Sequence, residues 1–228
     1  GGFSTRWYGA LAENEKLLNA ALLSLKIAAA SATGAMILGT LCAIALVRFG
    51  RFRGRILFSA MTTAPLVMPE IITGLSLLLL FVSLQQLVGW PDGRSALTIA
   101  IAHITFATAY VSVVVQARLS QMDRSLEEAA LDLGARPLKV FATITLPLIA
   151  PSLTAGWLLA FTLSLDDLVI ASFVSGPGSS TLPMVVFSSI RLGLSPEINA
   201  LATLLLGTVA ICVLLAGRML GRRDRKSS

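Results

Sequence analysis

The sequence predicts an all-α membrane protein, and three observations carry that prediction. Hydrophobic residues make up 55% of its 228 residues and charged residues only 13%, about half the charged share of an ordinary soluble domain. The mean hydropathy of +0.82 comes from long apolar runs, of the length a helix needs to cross a bilayer with its backbone bonds satisfied internally. The basic residues, finally, gather in the short intervals between those runs. So large an apolar excess does not fit inside a soluble core of this size, and the bilayer must serve as solvent.

The elements follow in order. Trp7 and Tyr8 suit the aromatic belt at a membrane interface. Leu17 to Val47 is a first span, and Lys26 within it can snorkel its ammonium to the near interface. Arg48, Arg51, Arg53 and Arg55 form a tight basic loop. The run from Ile56 to Val88 is too long for one straight span, and Pro65, Pro69 and Gly74 predict a kinked helix. Trp90 to Gly93 is a turn. Ala96 to Leu119 makes a third span, in which His103, the only histidine, is expected to make an interhelical hydrogen bond. Leu148 to Val174 is a fourth span, followed by a polar loop at Gly176 to Ser180 and a short helix from Thr181 to Arg191. Pro196 to Leu220 is the fifth, and the basic tail over 221–228 anchors it. Cys42 and Cys212 both lie in apolar runs and read as small hydrophobes. The whole of 1–228 reads as one transmembrane domain.

Charge sets the orientation. Placing loops 48–55, 118–139 and 218–226 on one side collects thirteen of the 18 basic residues there. The positive-inside rule makes that side, with the C-terminus, cytoplasmic. The formal charge of +6 is thereby explained as topology, and no nucleic-acid partner is needed.

The longest polar interval, Ser125 to Pro147, is built as a corner. Ser125 and Glu128 have capping-box spacing. Leu126, Ala129, Ala130 and Leu133 form one stripe, with Glu127, Glu128, Leu131 and Asp132 on the other side. Gly134 suits a helix C-cap and Pro137 the first position of the next helix. These residues also carry a resemblance. Glu128, Ala129, Ala130, Gly134, Ile144, Leu146 and Pro147 match the order and spacing of the EAA signature of ATP-binding-cassette importer permeases. The resemblance implies the importer permease (MetI-like) fold, and a coupling loop over about 120–147 that docks a cytoplasmic ATPase. Such permeases commonly have six helices. We therefore expect a first transmembrane helix before Gly1, a five-helix permease being the other reading.

Asp166 and Asp167 are the costliest residues in the apolar runs, since an intramembrane carboxylate must be paired or face water. Neighbours on a helix point about 100° apart, so one can line a path while the other pairs with another helix. Glu70 is a third acid at membrane depth, and Tyr110, Trp157 and Phe161 could face a cation through their rings. Such a path suits a cationic substrate. The stretches Trp157 to Asp167, Ser172 to Gly176, Ala64 to Glu70 and Thr5 to Tyr8 are similar to permeases for putrescine and spermidine. That similarity implies a polyamine cargo, a second homologous permease subunit, an ATPase dimer, an extracytoplasmic polyamine-binding protein and a bacterial inner-membrane location. Another small cationic solute, or an ion-coupled secondary transporter, is the alternative. No Gly-x-x-x-x-Gly-Lys-Ser/Thr, catalytic constellation or metal-ligand cluster is found. ATP and magnesium are expected on the partner ATPase, with no cofactor in this chain.

Overall fold

The structure, a computed structural model, describes residues 13–192 together with Gly9 and Thr203. Trp7 and Tyr8, the fifth span, Cys212 and the basic tail lie outside the described residues. The helices are α1 (Glu15–Arg48), α2 (Arg55–Val67), α3 (Glu70–Val88), α4 (Ala96–Gln121), α5 (Ser125–Asp132), α6 (Pro137–Val140), a π-helical turn (Phe141–Thr145), α7 (Leu146–Asp166), α8 (Val169–Val174) and α9 (Leu182–Leu192). Among the described residues, Glu15–Arg48, Glu70–Val88, Ala96–Gln121 and Pro137–Asp166 are long and apolar enough to cross a membrane. Residues 22–184 form one compact unit, and the described residues on either side belong to a second.

The larger unit is built around α4. Its first half packs Ile99, Ala102 and Phe106 with Ile27 of α1, Leu77 and Phe81 of α3, and Ile170 and Val174 of α8. Its second half packs Val111, Val115 and Leu119 with Ala32, Ala35 and Ala43 of α1 and with Ile149 and Ala160 of α7. The alanines let the α1 backbone come close to α4, the usual device where lipid gives no hydrophobic drive between helices. Many large apolar side chains also face outward: Ile37, Leu41, Ile56, Leu57, Met61, Ile71 and Leu79 are all exposed. So much exposed apolar surface is what a bilayer around the helices requires.

Three expectations are corrected. The run from Ile56 to Val88 is two helices, not one kinked helix. The ring of Pro69 drives Met68 into extended backbone, at φ −83° and ψ 135°, which closes α2 before α3 begins; Pro65 stays within α2. The fourth span starts earlier and ends earlier than its apolar run suggests. It continues from Pro137 through the π turn and stops at Asp166, because Asp167 is extended at φ −65° and ψ 126° and starts α8. The capping box at Ser125 is not formed. Asp123 takes that role, its Oδ1 accepting the Ser125 N–H at 3.0 Å. That bond also holds the Asp123 carboxyl below the usual carboxylate range. The helix expected over Thr181 to Arg191 is found as α9.

Candidate functional site

The corner between α4 and α7 is made by local chemistry. Gly134 sits at φ +82°, a conformation in which a Cβ would be strained. Its N–H bonds the Leu131 carbonyl at 2.8 Å and the Ala135 N–H bonds the Ala130 carbonyl at 3.1 Å, the bond pair of a Schellman turn. Pro137 then opens α6 at its first turn, as its missing N–H allows. The second part of the corner runs into the span without a break. The Leu146 N–H bonds the Phe141 carbonyl, five residues back. One residue on, Pro147 has no N–H to give, and the wider π turn moves the preceding carbonyls off its ring.

Glu127 ties this corner to the rest of the unit. Its Oε2 lies 2.9 Å from Arg48 Nε and its Oε1 accepts from Arg48 Nη2 at 3.3 Å and from the Thr145 hydroxyl at 2.7 Å. Arg48 Nη1 also donates to the Leu119 carbonyl at 3.2 Å. The end of α1, the end of α4, helix α5 and the π turn thus meet at one mostly buried ion pair. Beside it opens a cleft of about 340 Å³ lined by Arg48, Glu127, Glu128, Leu131, Pro137 and Thr145. Glu128 and Ala129 are exposed, as are Leu133 and Leu138 on either side of the glycine. Leu146 and Pro147 lie at the start of α7, where the π turn ends. Sequence reasoning missed Arg48 and Thr145 as partners, and took Glu127 only as part of an acidic face. The legible sign was that Glu127 shares a short helix with Glu128 and points elsewhere.

The second constellation is the break between α7 and α8. His103 and Ser164 are both buried, with His103 Nδ1 2.6 Å from Ser164 Oγ and Nε2 3.1 Å from Asp167 Oδ2. A proton on Nε2 donates to the carboxylate and leaves Nδ1 to accept from the serine hydroxyl. Asp167 also accepts the backbone N–H groups of Ile170, at 3.3 Å, and Ala171, at 2.8 Å, so it caps α8. The interhelical bond expected of His103 is present. Asp166 differs: it is exposed, and among the described residues no cation pairs with it.

The predicted residues fall into separate groups. Trp157 and Phe161 stack, with centroids 5.2 Å apart at 15°, and pack on the second-half core, with Trp157 Nε1 donating to Thr33 Oγ1 at 3.1 Å. Asp166 comes nine positions after Trp157, about 180° away around the helix. Tyr110 packs on Phe106 at 5.2 Å, against the other cluster. Glu70 opens α3 and is exposed. A Cβ on Gly74 would lie 2.7 Å from the Phe173 ring and 3.3 Å from Ile170 Cα, so α3 touches α8 one turn after Glu70. Asp166 precedes Ile170 across the break at Asp167. The two helices run the same way, since α3 returns through α4, and α4 meets α8 in reverse at His103–Asp167 and Thr98–Val174. Glu70 and Asp166 therefore lie at the same end of the α3–α8 contact.

Comparison with known proteins agrees with this architecture. Residues 35–226 match the family described as binding-protein-dependent transport system inner membrane component. The chain is 63% identical over 225 residues to the putrescine transport system permease protein PotI of Escherichia coli (strain K12), covering 99% of this chain and 80% of that protein. It is 42% identical over 228 residues to the spermidine/putrescine transport system permease protein PotC of the same strain, covering 100% and 83%. Among solved structures, a chain of the MetNI methionine ABC transporter superposes with a TM-score of 0.70 at 17% identity, over 89% of this chain and 94% of that one. A bacterial ABC transporter involved in the import of alginate gives 0.65 at 19% identity, over 87% and 67%. The expected importer permease fold is the fold found. This chain belongs to the family of binding-protein-dependent transport system inner membrane components.

Proposed function

We propose that the chain is a permease subunit of an ATP-driven importer of polyamines, with putrescine as the first candidate cargo. The observation that carries this reading is the division of labour between two adjacent acids. Asp167 is committed to His103 and to the cap of α8, while Asp166 is exposed without a cationic partner among the described residues. An acid so left at the end of a membrane helix favours a protonated amine through charge-assisted hydrogen bonds. Glu70, at the same end of the α3–α8 contact, supplies a second acid for a diamine. The aromatic residues Trp157, Phe161 and Tyr110 act by packing and hold α7 and α4 in place. PotI and PotC, named for putrescine and spermidine, are similar over essentially the whole chain, which supports the same cargo class.

Energy enters at the other end. Glu128, Ala129, Ala130 and the corner at Gly134 dock an ATPase dimer that carries ATP and magnesium. Leu146 and Pro147 pass the motion into α7. A second permease subunit completes the pathway and an extracytoplasmic binding protein delivers the amine. The corner and the C-terminus lie in the cytoplasm, and 1–228 works as one permease domain. Alternating access follows: closure of the ATPase pair displaces α5, and the continuous α6, π turn and α7 carry that displacement to Asp166. The test is uptake of labelled putrescine by vesicles holding the whole complex, with Glu128→Arg beside wild type. Uptake should need the ATPase and fall at least about tenfold, close to 1.4 kcal/mol of coupling, in Glu128→Arg. Uptake that persists without the ATPase would make the chain a secondary transporter.

A further inference from the structure

Three arginines converge on one cleft where α1 and α4 end and α2 begins. Arg48, Arg55 and Arg124 line an opening of about 360 Å³ together with Gln116, Ser120 and Met122. Each guanidinium is held by a main-chain carbonyl near a helix end. Arg48 Nη1 donates to Leu119 at 3.2 Å, Arg55 Nη2 to Leu46 at 2.9 Å, and Arg124 Nη2 to Val47. Carbonyls in the last turn of a helix lack intrahelical partners, so these bonds orient the arginines without neutralising them. Arg48 is matched by Glu127. Arg55 and Arg124 have no carboxylate partner among the described residues, and no acid lines the cleft. Two fixed positive charges therefore stand beside an amide and a hydroxyl.

Arg55 also lines a second opening, which is mostly apolar. It measures about 750 Å³ and is lined by Phe52, Arg55, Ile56, Leu57 and Ala60. Ile56 is 87% exposed and Leu57 66%. One ligand that satisfies both openings has an anionic head and a hydrocarbon tail. We propose that this is a binding site for an anionic phospholipid, its phosphate on Arg55 and Arg124 and an acyl chain along α2. Guanidinium groups match phosphate oxygens in pairs. The site lies at the end that the basic loops assign to the cytoplasm, where anionic headgroups attract clustered arginines. An acidic protein segment would answer the charge, but would leave the apolar groove at Ile56 and Leu57 unexplained. The site does not depend on which solute the transporter carries.

The test counts lipids on the complete purified transporter by native mass spectrometry. Phosphatidylglycerol or phosphatidylcholine with the same acyl chains is added stepwise in detergent. Wild type should retain phosphatidylglycerol at concentrations about tenfold lower than phosphatidylcholine. Arg55→Gln with Arg124→Gln should abolish that preference, and the paired lysine replacements should keep most of it. If the glutamine pair fails to assemble, Arg55→Gln alone should still reduce the preference several-fold. Equal retention of both lipids by wild type, or an unchanged preference in the glutamine variants, overturns the proposal. Displacement of phosphatidylglycerol by free inorganic phosphate overturns it as well, because the site would then hold a soluble anion.

Discussion

Glu127 and Asp167 are two carboxylates that join distant stretches of chain. Glu127 is shared by Arg48 and Thr145, 79 and 18 residues away. Replacing it with alanine leaves the Arg48 guanidinium, whose side chain is only 14% exposed, without a counter-charge. We expect a loss of about 2 kcal/mol in stability, read as a lower unfolding temperature of the complex. Arg48→Met made in the Glu127→Ala background should restore part of that loss, since neither charge then stands alone; strictly additive losses would show that the pair does not interact. His103→Leu should likewise destabilise, because Asp167 loses its partner across α4 and α7. An interhelical bond of His103 was legible in the sequence, but the partners in these pairings were not. The acids could be recognised as costly in lipid, but which one is satisfied depends on a histidine 64 residues away.

At the scale of elements, the corner was legible and the breaks were not. Gly134 and Pro137 obey local rules of backbone and missing N–H, so their positions alone give the turn from α5 to α6. Gly134→Ala should cost about 1 kcal/mol through the left-handed backbone and weaken recovery of the ATPase with the permease; undiminished recovery would argue against the corner as the dock. The ends of α2 and α7 turn on neighbours as well as on proline. Met68 is extended by Pro69, whereas Asp167 is extended where it can cap α8 and reach His103. At the start of α5 the capping side chain was misassigned because Ser125 and Asp123 are both capping types, and only the aspartate reaches the backbone donor. Accepting that bond lowers the carboxyl's pKa. Its contribution is therefore complete above the unfolded carboxylate range, near pH 4, and fades only as pH falls through the lowered value. Amide exchange at Ser125 should be faster in Asp123→Ala and should show no cap-related change between pH 6 and 8.

For the whole molecule, the membrane character and the four long apolar helices among the described residues were legible in composition, because a bilayer selects on length and polarity before it selects on contacts. The path from the proposed dock to the acid at the end of α7 was not. It runs through the π turn that precedes Pro147, and through a helix whose aromatic face is turned away from its terminal carboxylate. On that path we propose that Asp166 meets the cargo while Asp167 holds the helices. The most direct measurement is uptake of labelled putrescine by vesicles of the whole complex carrying Asp166→Asn or Asp167→Asn, with the unfolding temperature of each complex recorded. Asp166→Asn should keep the unfolding temperature and lose uptake by tenfold or more, about 1.4 kcal/mol, and Asp167→Asn should lower the unfolding temperature. Normal uptake by an intact Asp166→Asn complex would contradict the claim.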